Sequence, residues 1–305
     1  RSMISGLNLL QSRVKMKFVN NQVSYLTIVR QIIVDENVQK EKERLKLSNN
    51  HDLVKVFELE KVYENGFRAI KDVSFGVANT EIFCLLGPNG AGKSTTFKIL
   101  TAEIARSSGI VRLFEEEINQ GKYHIFDRIG ICPQNNPIWL DLTVRDHLYI
   151  YGKMKCIDVN DLESLIEYLL KALMLTPFKN TKAGNLSGGN KRKLCIANCL
   201  IGGPSLQFLD EPSTGMDPVA RKYLWNLLKE NMRGRDGAMI LTTHYMQEAE
   251  SIVTKLGIVL NGRMSCIGTM EELKQKFGQY TVKINAIKES SKISTIIAKN
   301  IPEAR

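Results

Sequence analysis

Gly87-Pro88-Asn89-Gly90-Ala91-Gly92-Lys93-Ser94-Thr95 fits the phosphate-binding pattern G-x-x-x-x-G-K-[ST]. The apolar run Ile82-Phe83-Cys84-Leu85-Leu86 ahead of it reads as a buried strand, and Thr95 to Leu100 behind it as the start of a helix. A strand, a glycine loop and a helix start are the context in which the pattern has a mechanism. Glycines let the backbone curl until successive N–H groups face one anion, and the helix N-terminus adds partial positive charge. Lys93 is then placed to reach the terminal phosphates of a nucleotide, and the Ser94 hydroxyl to ligate Mg²⁺. The competing explanation is a chance glycine turn, and the flanking strand and helix argue against it.

Composition sets looser bounds. A chain of 305 residues with 43% hydrophobic content can bury a substantial core, and its length suggests one or two domains. No window of about eighteen apolar residues occurs, and Arg1 to Leu10 lacks the sustained apolar run of a secretory signal. The six cysteines, at 84, 132, 156, 195, 199 and 266, form no C-x-x-C pair and are expected as buried free thiols of a reducing compartment. The net charge of +10 is uneven: residues 1–50 hold nine Lys/Arg against four Asp/Glu, so +5 lies there. That basic segment is expected either to be solvated or to lie against an anionic membrane face.

In chain order, Val29 to Val34 suits a short strand or helix, and Asp35 to Lys46 is a mixed charge run expected as a solvated helix or linker. The folded part is expected to begin near Asp52. Leu53–Leu59 is strand-forming, and the turn signal Glu64-Asn65-Gly66 leads to Phe67–Ile70 and Val73–Val77, an antiparallel stretch. Tyr63, just before that turn, is either an aromatic platform for a base or a sheet-face tyrosine. After the strand Arg128–Cys132 and Pro133-Gln134, residues of about 136–185 read as a small helical insertion. Thr143 and Asp146 there form a capping box, and Leu162, Leu165, Ile166, Leu169, Leu170 and Leu173 recur at helical spacing. Leu206–Asp210 and Ala238–Thr243 are buried strands around a helix at Arg221–Met232; Gly257–Leu260 and Met264–Ile267 form a hairpin. Strands alternating with helices predict a largely parallel sheet with ligands at its carboxyl edge.

Two further stretches carry chemistry. Asp210-Glu211 ends an apolar strand, where adjacent carboxylates would repel an anionic substrate unless a cation stands between them. Asp210 suits Mg²⁺, directly or through water, and Glu211 suits polarising a water for attack on a γ-phosphate. An acidic pair capping the helix after Pro212 is the alternative, and the glycine loop favours the catalytic reading. Ser187-Gly188-Gly189 opens a helix whose first turns carry Lys191, Arg192 and Lys193, against the helix dipole at roughly 0.3–1 kcal/mol each when exposed. That broken rule is expected to mark a site receiving an anion: a second nucleotide, or one shared with another copy.

The set resembles the nucleotide-binding domain of ATP-binding cassette (ABC) transporters. Gly87–Thr95 matches the Walker A loop, Gln134 the Q-loop, Leu186–Gly189 the signature motif, and Leu206–Pro212 Walker B. Ser213–Asp217 matches the D-loop and His244 the switch histidine, in order over about residues 52–277. The wording of residues 190–218 further resembles subfamily A, associated mostly with lipids. The resemblance implies an α/β P-loop ATPase core with an antiparallel β subdomain and a helical subdomain. It divides the chain into an upstream segment 1–51, the cassette 52–277, and the start of a C-terminal regulatory region, 278–305. It also implies residue roles. Tyr63 would stack on adenine, and Gly87, Pro88, Asn89, Gly90, Ala91, Gly92, Lys93, Ser94 and Thr95 would wrap the ATP phosphates. Ser94, Gln134 and Asp210 would hold Mg²⁺, Glu211 would be the general base, and His244 would contact the γ-phosphate. Ser187, Gly188 and Gly189 would complete a partner's site, and Asp217 would communicate across the dimer.

The partners so implied are a second nucleotide-binding domain and membrane domains carrying lipid, with the cassette membrane-associated on the cytosolic face and no nucleic acid bound. A soluble ABC-type ATPase acting on nucleic acid or ribosomes is the alternative. Only 115 residues lie between Ser94 and Asp210, too few for the long coiled coil of DNA-repair relatives. A non-hydrolysing cassette is a third reading, which intact Glu211 and His244 oppose. Thr80 departs from the family, standing where a glycine is common, and Asn79 is expected to supply the turn. Cys84 replaces a small residue.

Overall fold

We analysed a computed structural model, which describes residues 14–22, 35–47, 51–118, 124–244, 250, 252–277 and 279–286. The expected element at Val29–Val34 lies outside the described residues. The chain divides into two units, Gln31–Glu272 and the combined segments Arg1–Arg30 and Leu273–Arg305. In the second, β1 (Val14–Gln22) pairs antiparallel with β12 (Gln279–Ala286), where sequence alternation predicted a strand over 280–284.

The larger unit is built on one ten-stranded sheet. Its strands are β2 (Val54–Val62), β3 (Arg68–Val77), β4 (Ile82–Leu86), β5 (Ser108–Leu113), β6 (Glu116–Glu117) and β7 (Ile129–Cys132). They continue with β8 (Leu206–Asp210), β9 (Ala238–Thr243), β10 (Lys255–Leu260) and β11 (Arg263–Thr269), in the order β6-β5-β2-β3-β11-β10-β4-β9-β8-β7. The β10-β4-β9-β8-β7 half is parallel, and β6-β5-β2-β3 is antiparallel. The two stretches predicted around residues 67–77 are therefore one strand, β3. The parallel strands β4, β8 and β9 are buried at every position, as expected for strands covered on both faces. Phe83 stacks on Phe75 with ring centroids 4.6 Å apart, joining the two halves of the sheet.

The described helices follow in chain order. They are α1 (Glu36–Lys46), α2 (Lys93–Leu100), α3 (Val144–Met154), α4 (Val159–Ala172), α5 (Gly188–Leu200), α6 (Pro218–Met232) and α7 (Met270–Phe277). Thr143 and Asp146 form the predicted reciprocal cap of α3, with Thr143 N–H donating to Asp146 Oδ2 at 3.0 Å. The helices α3 and α4 pack on each other between β7 and α5 and make up the helical insertion. Five of the six free cysteines are buried and Cys156 is exposed; burial pushes the Cys132 thiol up to about 11.

The charge run Asp35–Lys46 is more than a solvated linker. Helix α1 packs against β3 and β11, burying Val38, Glu41 and Leu45. Burial alone would raise the Glu41 pKa. Arg44, Lys255 and the Gly76 N–H, all hydrogen-bonded to it, instead hold it down at about 2, against an ordinary 4.5. Arg44 also pairs with Asp52 at 2.7 Å. A carboxylate held below its unfolded pKa contributes stability that is complete above about pH 4.5 and lost as pH falls toward 2.

At the turn into β4, Thr80 itself adopts the left-handed conformation, φ 65°, while the Asn79 side chain accepts from the N–H groups of Thr80 and Gly237. Asn79 thus braces the turn, and the backbone strain falls on a β-branched residue.

Two predictions follow from these packing details. Glu41→Gln should remove about 3 kcal/mol of stability at neutral pH and flatten the acid limb between pH 4.5 and 2, measured by urea unfolding against pH. Thr80→Gly should raise the melting temperature by roughly 2 °C, a gain of about 1 kcal/mol; a lower melting temperature would show that the strain is absent.

Candidate functional site

The site lies where the parallel strands end. Leu86 pairs with Thr243, and Thr242 with Asp210, so the loop after β4 and the ends of β8 and β9 reach one level. Gly90 and Gly92 have φ of 78° and 108°. Gly92 caps α2, and a Cβ there would stand 2.9 Å from the Ala69 carbonyl, so the loop both curls and presses on β3. Lys93 is buried, its Nζ donating to the Gly87 and Pro88 carbonyls at 2.8 and 3.1 Å. Burial lowers its pKa, and the charges of Glu211 and Asp210 work against that. Tyr63 stands beside the loop, its hydroxyl 3.4 Å from Thr95 Oγ1, and Lys61 covers its ring at 5.3 Å.

Asp210 and Glu211 diverge from their strand end. Asp210 is buried and hydrogen-bonded to Thr242 and Ser94; burial raises its pKa, and those two bonds partly oppose the rise. Glu211 takes a left-handed φ of 49°. Its carboxylate meets Gln134 Nε2 at 3.5 Å, Thr214 Oγ1 at 3.3 Å and His244 Nδ1 at 3.2 Å. Two segments far apart in sequence, and a threonine of its own loop, thus converge on one carboxylate. A buried carboxylate bonded to a serine hydroxyl is a hard-oxygen set that fits Mg²⁺ shared with phosphates. Among the described residues no group of three or more His, Cys, Asp or Glu side chains could hold a metal ion.

Ser187, Gly188 and Gly189 sit at the head of α5. The Ser187 hydroxyl accepts from Asn190 N–H, and a Cβ on Gly189 would lie 3.5 Å from the Gly215 carbonyl. Asp217 caps α6 through Val219 and Ala220 N–H.

The expectation that the cations of α5 receive an anion fails for Arg192. Its side chain is only 2% exposed, and it donates to the carbonyls of Pro133, Gln134, Asp210 and Pro212 and to Asn136 Oδ1. One guanidinium thereby ties the Gln134 segment and the Asp210–Pro212 segment to the head of α5. The available sequence signal was its position two residues before Leu194–Leu200, every residue of which is buried. Thr214 and Thr242 also escaped sequence reasoning, because threonines in a loop and in a strand run are unremarkable there.

A glycine phosphate loop on β4, a carboxylate pair on β8 and a helical insertion between them define a P-loop ATPase core of the cassette type. The ABC transporter family profile matches residues 70–214. Human "ATP-binding cassette sub-family A member 2" is 37% identical over 279 residues, covering 88% of this chain and 11% of that protein. Human "Retinal-specific phospholipid-transporting ATPase ABCA4" is 40% identical over 261 residues, covering 84% of this chain and 11% of that protein. A dimeric ATP-binding cassette solved in a post-hydrolysis state with ADP and Pi superposes with a TM-score of 0.66 at 22% identity, covering 71% of this chain and 98% of that one. The chain carries an ABC ATPase domain, most like those of subfamily A. It spans about a tenth of the length of those two relatives.

Replacing Arg192 by Met should cost about 3 kcal/mol or more, since four carbonyls lose a buried donor. Arg192→Lys should recover only part of this because one ammonium cannot reproduce the fork. Urea midpoints of the three proteins check both statements.

Proposed function

We propose that this domain hydrolyses ATP with Glu211 as the general base, and that two such cassettes close around ATP to power movement of a lipid through membrane domains. The observation that carries the reading is the Glu211 carboxylate at the edge of the phosphate loop, met by Gln134, Thr214 and His244. A base so oriented can take a proton from a water aimed at the γ-phosphate.

The other roles follow from position. The N–H groups of Gly87–Thr95 cradle the phosphates, and Lys93 exchanges its two loop carbonyls for phosphate oxygens. Tyr63 stacks on adenine. Ser94, Asp210 and Gln134 would hold Mg²⁺, which neutralises charge on the β- and γ-phosphates when bound. His244 contacts the γ-phosphate from the far side of Glu211. Ser187, Gly188 and Gly189, with the N-terminus of α5 behind them, serve the nucleotide of a second cassette, and Asp217 lies at that junction.

The dimeric cassette of the same fold supports a two-cassette arrangement, and the phospholipid-transporting relative supports a lipid substrate. Among the described residues no helix is long and apolar enough to cross a membrane. The phospholipid-transporting relative supports a cassette that works with membrane domains from their cytosolic face. The relative named as a phospholipid-transporting ATPase carries the reading away from nucleic acid.

Glu211→Gln should lower ATP turnover at least about a hundredfold while ATP still binds. With Mg-ATP that variant should form a dimer by light scattering at high protein concentration. Undiminished turnover would remove Glu211 from the role of base.

A further inference from the structure

Thr242 is fully buried on β9, directly opposite Asp210 in the parallel pairing with β8. Its hydroxyl donates to Asp210 Oδ1. The same oxygen accepts the Glu211 N–H at 3.0 Å, and the Thr242 carbonyl accepts that N–H as well, at 3.2 Å. A hydroxyl has one hydrogen, and a backbone N–H can only donate. The direction of the chain is therefore set: from Glu211 N–H to Thr242 Oγ1, and from Thr242 O–H to the Asp210 carboxylate.

The rest of β9 shows why a hydroxyl here needs an explanation. Ala238, Met239, Ile240 and Leu241 precede it, all buried and apolar, and a valine would continue that run with the same shape. A buried hydroxyl is costly unless it is hydrogen-bonded, and this one is used in both directions. What it touches are the backbone of one carboxylate residue and the side chain of the other. Glu211 sits at φ 49°, which L residues rarely adopt, and its N–H is held by two acceptors of one threonine.

We infer that Thr242 is a positioning residue for ATP hydrolysis: its hydroxyl fixes the Asp210 rotamer and the left-handed turn at Glu211. The two carboxylates are thereby kept apart, one toward Ser94 and the other toward His244 and Gln134. The inference rests on the roles proposed above for Asp210 and Glu211.

The test compares Thr242→Val, Thr242→Ala and Thr242→Ser with Glu211→Gln in the full 305-residue chain. ATP turnover, melting temperature and Mn²⁺ affinity in the presence of ATP, read by electron paramagnetic resonance, are measured for each. Thr242→Val should lose ~10- to 100-fold in kcat with KM for ATP within about twofold at saturating Mg²⁺. Mn²⁺ should bind more weakly as Asp210 loses its anchor. Thr242→Ser, keeping the hydroxyl, should stay within about twofold of the parent. Thr242→Ala makes the same prediction as valine should the valine protein not fold. Wild-type kcat in the valine or alanine protein, or an equal loss in the serine protein, would overturn the inference. If Glu211→Gln also turned over at full rate, the fault would lie with the proposed base; if it alone were inactive, with Thr242.

Discussion

The geometry of the site depends on how backbone carbonyls are satisfied once the parallel strands run out. Beyond the last ladder pairs of β7 and β8 the chain turns away, half-buried at Pro133 and buried at Glu211–Ser213, and its carbonyls have lost their strand partners. Arg192 answers for both exits at once, as its fork offers five donors in one plane. Because Arg192 belongs to the helix headed by Ser187, three segments share one anchor: the Gln134 turn, the Asp210–Pro212 turn and the head of α5. A displacement of any one must be accommodated by the others or break buried bonds. The positive charge also stands near Asp210 and opposes the effect of its burial.

Around that anchor the site divides labour between neighbouring strands. β4 delivers the glycine loop, β8 the two carboxylates, and β9 the residues that orient them, Thr242 from its end and His244 just beyond. The parallel register makes this possible, since it brings three strand ends level. Asp210 faces inward, desolvated and bonded to hydroxyls. Glu211 faces the loop side, approached by amide, hydroxyl and imidazole. Adjacent residues thus occupy unlike environments, the condition under which two carboxylates can take the separate roles proposed for them.

Much of this was legible in the sequence, and for local reasons. The glycine spacing, the apolar five-residue strands and the Thr143 capping box are short-range signals that tertiary contacts had only to accept. What escaped notice depends on long-range partners. The buried face of α1 runs through Val38, Glu41 and Leu45, and a glutamate in that stripe disguised it as a solvated charge run. Arg192 is hidden for the same reason: a charge in a sequence implies exposure, whereas a guanidinium among carbonyls is at home in the interior. Thr242 looked like any strand residue until its neighbour across the ladder was known. Thr80 was recognised as standing where glycine is usual, but not as taking the glycine's backbone angle itself.

The charge cluster under α1 has a bearing on how this sequence can drift. Gly76 gives its N–H to Glu41, and a Cβ on it would fall 1.9 Å from Asp52 Oδ2 and 2.5 Å from Arg44 Nη2. Any larger residue at 76 would evict the carboxylate that Arg44 needs, and would loosen a helix thirty residues earlier in the chain. Positions 41, 44, 52, 76 and 255 therefore form one unit of inheritance. They are free to be exchanged together for another solution, but not one at a time.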